Sequence, residues 1–165
     1  MSFGTDLLTE FDNEMATTRR VLERVPTEKG QWKPHPKSFA LGHLAQLISW
    51  MPGWVDNVLR EDSLDLEKAP KYSFEKTETL LRDFDARVTA TREALGKVKD
   101  EELAKMWALK RGTQVFMSFP KKAVVRMHLS HLSHHRGQMS VYLRMLDVPV
   151  PMIYGPTADE RPGGM

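Results

Sequence analysis

Apolar residues recur every three or four positions along most of the chain, the spacing of one buried face of a helix. Leu8, Phe11, Met15 and Leu22, with Thr18 filling the missing step, predict a first helix from about Thr5 to Arg24, closed by Pro26. Trp32, Pro34 and Pro36 then make a stiff connector, because each proline pushes its predecessor out of the helical region. Ser38 is placed to cap a second helix, whose stripe is Leu41, Leu44, Ile48, Met51, Val55 and Val58. Pro52 removes a backbone donor inside that helix and crowds the carbonyl of Ile48, so a kink or a break into two pieces is expected there. After a polar stretch from Glu61 to Lys71, a third helix starts near Phe74, carries Leu81, Phe84, Val88, Thr91 and Leu95, and stops at Gly96.

Glu101 to Trp107 reads as a short helix, and Leu109 to Phe119, which alternates poorly, as an extended loop or loose hairpin. The last helix runs from Pro120, whose missing donor costs nothing in a first turn, to about Leu146. Pro149 and Pro151 mark an irregular tail from about residue 147. Four long helices around one core predict an all-α four-helix bundle, a single domain over residues 1–165, in which metal and ligand sites form between side chains of facing helices.

The last helix carries the chemistry. Val124, His128, His131, His135, Gln138, Tyr142 and Met145 form one stripe, and Val125, Leu129, Leu132, Met139, Leu143 and Leu146 an adjoining one. His131 and His135 are four residues apart, so their rings stand one turn above the other with Cβ atoms about 5–6 Å apart. Two such rings can share an ion bound at about 2.0–2.1 Å; the alternative is a hydrogen-bonded polar stripe in the bundle. His128 is the substitute ligand on the same stripe. His134 is turned aside, and His35, flanked by prolines, reads as structural or exposed. Trp50, Trp54 and Trp107 read as core, interface or pocket wall. Gln138 is placed to meet a bound ligand or a neighbouring helix, Gly137 to allow close helix approach, and Arg136 to make a surface or dimer salt bridge.

Composition narrows the options. With 41% hydrophobic and 28% charged residues and a formal charge of +2, the chain reads as an ordinary globular domain, without the basic blocks that nucleic acid demands. No cysteine is present, so any metal must take nitrogen and oxygen donors. No run is long and apolar enough for a membrane span. The start lacks the basic and apolar regions of a signal peptide, and the expected location is cytoplasmic.

The run His-Leu-Ser-His-His-Arg-Gly-Gln, the following Val141 to Pro156, and Trp32-Lys-Pro-His-Pro-Lys-Ser38 together resemble the DinB-like superfamily over most of the chain. That resemblance implies an up-down-down-up four-helix bundle, often a homodimer, with a divalent metal held by three histidines, one on the second helix and two on the last. Carried over, the last-helix pair falls on His131 and His135. The second-helix position falls on Leu47, while the histidine present on that helix, His43, lies one turn earlier, about 5.4 Å along the axis. The expected metal ligands are thus His43, His131 and His135, with Leu47 marking the alternative of an incomplete site.

The implied activities are thiol-dependent transferases and isomerases using a low-molecular-weight thiol such as bacillithiol, mycothiol or glutathione. A zinc or nickel ion with an open position would deprotonate such a thiol and make it a nucleophile. The first expectation is therefore a metal-dependent thiol S-transferase or related detoxifying enzyme acting on a small-molecule substrate. The alternative is a non-catalytic bundle that binds a small ligand or partner, with metal weak or absent.

Overall fold

The computed structural model describes residues 3–163. Its long helices are α1 (Phe3–Leu22), α2 (Leu41–Arg60), α3 (Thr77–Lys97) and α5 (Lys121–Met145), with a single helical turn, α4 (Asp100–Leu103), before the sheet. α1 packs on α3 and α5, and α2 packs on the same two helices from the other side. Side-chain pairs give the directions. Asp12 meets Arg92 and Arg19 meets Asp85, so α1 and α3 are antiparallel. Glu14 meets Arg136 and Glu10 meets Arg126, so α1 and α5 are parallel. Thr91 of α3 donates to the Pro52 carbonyl while Ser73, just before α3, donates to Gln46, so α2 and α3 also run together. The long connection between α2 and α3 makes that parallel pairing possible.

The three-four spacing does what it predicts. Leu7, Phe11 and Met15 of α1, Leu44, Ile48, Met51 and Val55 of α2, Phe84 and Leu95 of α3, and Val125, Leu129, Leu132 and Met139 of α5 fill one continuous core. Each such side chain contributes about 1.5–3 kcal/mol by leaving water. α2 runs unbroken through Pro52. Thr91 Oγ1 is buried there and donates to the Pro52 carbonyl at 2.7 Å, fastening α3 to α2 at the residue that lacks a donor of its own.

The fold is mostly helical but not all-α. A mixed three-stranded sheet joins β1 (Ser63–Asp65), β2 (Met106–Arg111) and β3 (Gln114–Pro120), in the order β1-β2-β3. β2 and β3 form an antiparallel hairpin with a bulge between Leu109 and Lys110, and β1 pairs with β2 in parallel, Leu64 opposite Leu109. The turn needs Gly112, whose φ of +56° would strain an L side chain, and whose N–H donates to Asp65 of β1 at 3.1 Å. Trp107, expected at the end of a short helix, sits instead in β2, buried, with its indole N–H on Asn57 of α2 at 3.2 Å. The reason is the hairpin: pairing Trp107 with Phe119 turns the indole inward against the bundle. Val58 and Leu59 belong to the chain's own core, while the exposed apolar side chains include Val115, Phe116 and Phe119 on the hairpin.

Candidate functional site

The helical spacing of His131 and His135 brings their rings together, with Nε2 atoms 2.9 Å apart. Gln138, three residues on, presents its carbonyl oxygen to His135 Nδ1 at 2.7 Å. That nitrogen therefore carries the proton, and His135 Nε2 is the lone-pair nitrogen that accepts the Nε2–H of His131. His131 Nδ1 is left as the outer acceptor of the pair. His135 is buried and His131 is exposed at the rim. Burial lowers the pKa of both rings, joined for His131 by the neighbouring His135 and His134 and opposed for His135 by its bond to Gln138. Both are thus neutral near pH 7.

His128, one turn earlier, lies between Trp54 and Trp107, with ring centroids 5.8 and 6.3 Å away. Both of its ring nitrogens are sealed from solvent and neither has a hydrogen-bond partner. Burial, reinforced by His131, pushes its pKa down to about 4. Beside it opens a cavity of about 610 Å³, walled by Trp54 of α2, Leu64 and Leu66 of the α2–α3 connection, Trp107, Leu109 and Met117 of the hairpin, and the α5 residues His128 and His131. Such a volume falls in the range of small-molecule pockets, about 300–1,000 Å³.

His43 is held apart from the α5 pair. Its ring is stacked between Phe39 at 4.5 Å and Tyr72 at 4.0 Å, and Tyr72 in turn stacks on Trp50 at 4.7 Å. Leu47, one turn along α2, is a buried core residue. Among the described residues, no group of three or more His, Asp or Glu side chains is gathered as a metal centre. The donors gathered among the described residues are therefore two imidazoles on α5, tied to each other by a hydrogen bond.

Other residues depart from their sequence reading. Arg136 is not a surface group: it is fully buried and binds α1 and the tail at once, donating to Glu14 Oε2 at 2.6 Å, the Glu14 carbonyl at 3.1 Å, Thr18 Oγ1 at 3.0 Å and the Tyr154 hydroxyl at 2.6 Å. Its partners lie far away in sequence, which is why the motif alone could not assign them. His134 is exposed and packs edge-on to His135, and exposed His35 accepts the Lys37 N–H. Gly137 faces open space.

The DinB family matches residues 1–162 of this sequence. The chain belongs to the DinB family. Among solved structures, a DinB-like protein from Bacillus subtilis superimposes with a TM-score of 0.69 at 17% identity, covering 90% of this chain and 96% of that one. A second DinB-like protein, from Bacillus cereus ATCC 10987, gives a TM-score of 0.68 at 22% identity, covering 90% and 95%. These likenesses establish the fold alone. Among curated proteins, the uncharacterized protein YrdA of Bacillus subtilis (strain 168) is 42% identical over 41 residues, a stretch that spans 25% of this chain and 25% of YrdA.

Proposed function

We propose that this DinB-family bundle binds a small, largely apolar molecule in the cavity between α2, α5 and the hairpin. The observation that carries this reading is the wall of that cavity: Trp54, Trp107, Leu109 and Met117, with His131 at its rim. The His128 nitrogens are sealed from the cavity as well as from solvent, so His128 meets a ligand through the apolar edge of its ring. His131 adds an acceptor nitrogen at the rim.

A neutral probe such as N-phenyl-1-naphthylamine tests the proposal. Saturable binding to the wild type is expected, with loss on Met117→Trp, which fills the cavity while keeping its wall apolar. Binding unaffected by Met117→Trp would overturn it.

A second reading, a metal-dependent thiol S-transferase, has one observation in its favour. The His131–His135 pair has the right separation, and the Gln138 bond leaves the His135 lone pair on Nε2, as a ligand tautomer requires. It lacks a third donor from the chain. Protein purified without a histidine tag and dialysed should, on the binding reading, carry no stoichiometric zinc or nickel. Near-stoichiometric metal would favour the enzyme.

A further inference from the structure

A second cavity, of about 710 Å³, lies between α2, α3 and the connection that joins them, with Trp54 in its wall as well. Arg87 of α3 reaches into its wall. The guanidinium sits 5.8 Å over the Trp50 ring, and it makes no hydrogen bond or ion pair with any described residue. Its Nε is sealed from solvent with no partner. Arg19 and Arg136, the other arginines that are not exposed, each hold a carboxylate. Arg87 alone among these three lacks one.

The surroundings hold the cation in place. Gly53 of α2 lies directly under it: a Cβ there would stand 3.0 Å from Arg87 Nη1 and 3.4 Å from its Cδ. The absent side chain is the space in which the arginine lies. On the other side, the rings of Phe39, His43, Tyr72 and Trp50 form a continuous stack that ends at the guanidinium. Cation–π contact positions the charge but neutralises none of it. The result is a fixed, planar, five-donor cation facing a cavity whose remaining wall includes Trp54, Leu64 and Leu66.

We propose that this cavity is a binding site for a small organic monocarboxylate, its carboxylate on Arg87 and its aryl or alkyl body against Trp50, Trp54 and Leu64. The planar fork of arginine matches a carboxylate in two parallel hydrogen bonds. Lys68 and Lys110 offset Glu61 and Asp65 on the same wall, which leaves Arg87 as the unbalanced charge and suits a ligand with a single negative one. The site is separate from the one beside His128, sharing with it Trp54, Leu64 and Leu66, and does not depend on what that one holds.

Calorimetric titration with 4-phenylbutyrate, and with 4-phenylbutan-1-ol as its neutral counterpart, tests the proposal on the intact protein. The wild type is expected to bind the acid at least about tenfold more tightly than the alcohol, as one charge-assisted pair in a partly dry site implies. Arg87→Met, which keeps the stem over Trp50, should remove that preference and leave the alcohol's affinity unchanged. The acid-to-alcohol ratio in the wild type stands even if Arg87→Met folds poorly by circular dichroism. Equal binding of acid and alcohol, no saturable binding of the acid, or an unchanged preference in a folded Arg87→Met protein would each overturn the proposal. Displacement of the acid by inorganic phosphate at comparable affinity would overturn the assignment to carboxylates. Met117→Trp should leave acid binding intact, so failure of the neighbouring site is distinguishable from failure of this one.

Discussion

Replacing His128 with leucine should change how the protein responds to acid. In the folded chain the His128 pKa is lowered from 6.5 to about 4, because its nitrogens are sealed and unpartnered. In the unfolded chain the ring titrates normally. A group depressed in the folded state contributes its stability above the unfolded pKa and loses it as pH falls towards the folded one. Between pH 6.5 and 4, only the unfolded chain takes up this proton. At about 1.4 kcal/mol per tenfold change in proton affinity, the loss amounts to about 3 kcal/mol near pH 4 and about 2 kcal/mol at pH 5. Leucine has a similar volume and no proton to gain. Urea unfolding of both proteins from pH 7.5 to 4.5 reads the difference directly, and titration of the remaining histidines is common to both. The leucine variant should be at least as stable as wild type at pH 7, since two unsatisfied nitrogens are gone, and its advantage should grow by about 2 kcal/mol at pH 5. Parallel stability curves would refute the reasoning, showing that His128 meets water or a partner in solution.

Arg136→Leu leaves Glu14 and Tyr154 without their shared donor and should cost roughly 3 kcal/mol in urea unfolding; a loss below about 1 kcal/mol would show that the clamp is replaceable by packing. Leu47→His should raise zinc affinity above wild type by setting a third imidazole opposite the α5 pair, while His43→Ala should leave metal content unchanged and disturb the stack with Phe39 and Tyr72. Wild-type metal affinity that falls in His43→Ala would overturn this assignment. The homodimer implied by the resemblance predicts a light-scattering mass twice the 18.9 kDa of one chain, and a monomer at micromolar concentration would remove it.

The long helices are legible because each buries one continuous stripe, which leaves a strong three-four rhythm, and even the stop near Gly96 lies within a residue of the observed end of α3. The sheet is not. β1 has three residues, all half-buried, and β3 is mostly exposed, so neither leaves a clean alternation to read. The α5 pair follows from helix geometry alone, whereas the position of His43 depends on Tyr72, which arrives from a loop 29 residues later. Arg136 shows the same limit: a charge reads as surface until Glu14, Thr18 and Tyr154 are brought round it. Both cavities are assembled from three or more segments, and no single stretch of sequence encodes either.

The placement of α1 bears on the order in which the chain can fold. α1 and α2 are consecutive, yet α1 packs on α3 and α5, and its outer face is fastened by residues near the opposite end: Tyr154 on Glu14, and Glu160 on Arg20 and Arg24. During synthesis α1 leaves the ribosome ahead of α3 and α5 and finds its full set of partners only after α5 and the tail have followed. Its apolar face stays uncovered through that interval, and closing such long loops slows folding relative to a bundle of hairpin-linked neighbours. A nascent chain stalled before Tyr154 should therefore be the state most readily engaged by chaperones and proteases.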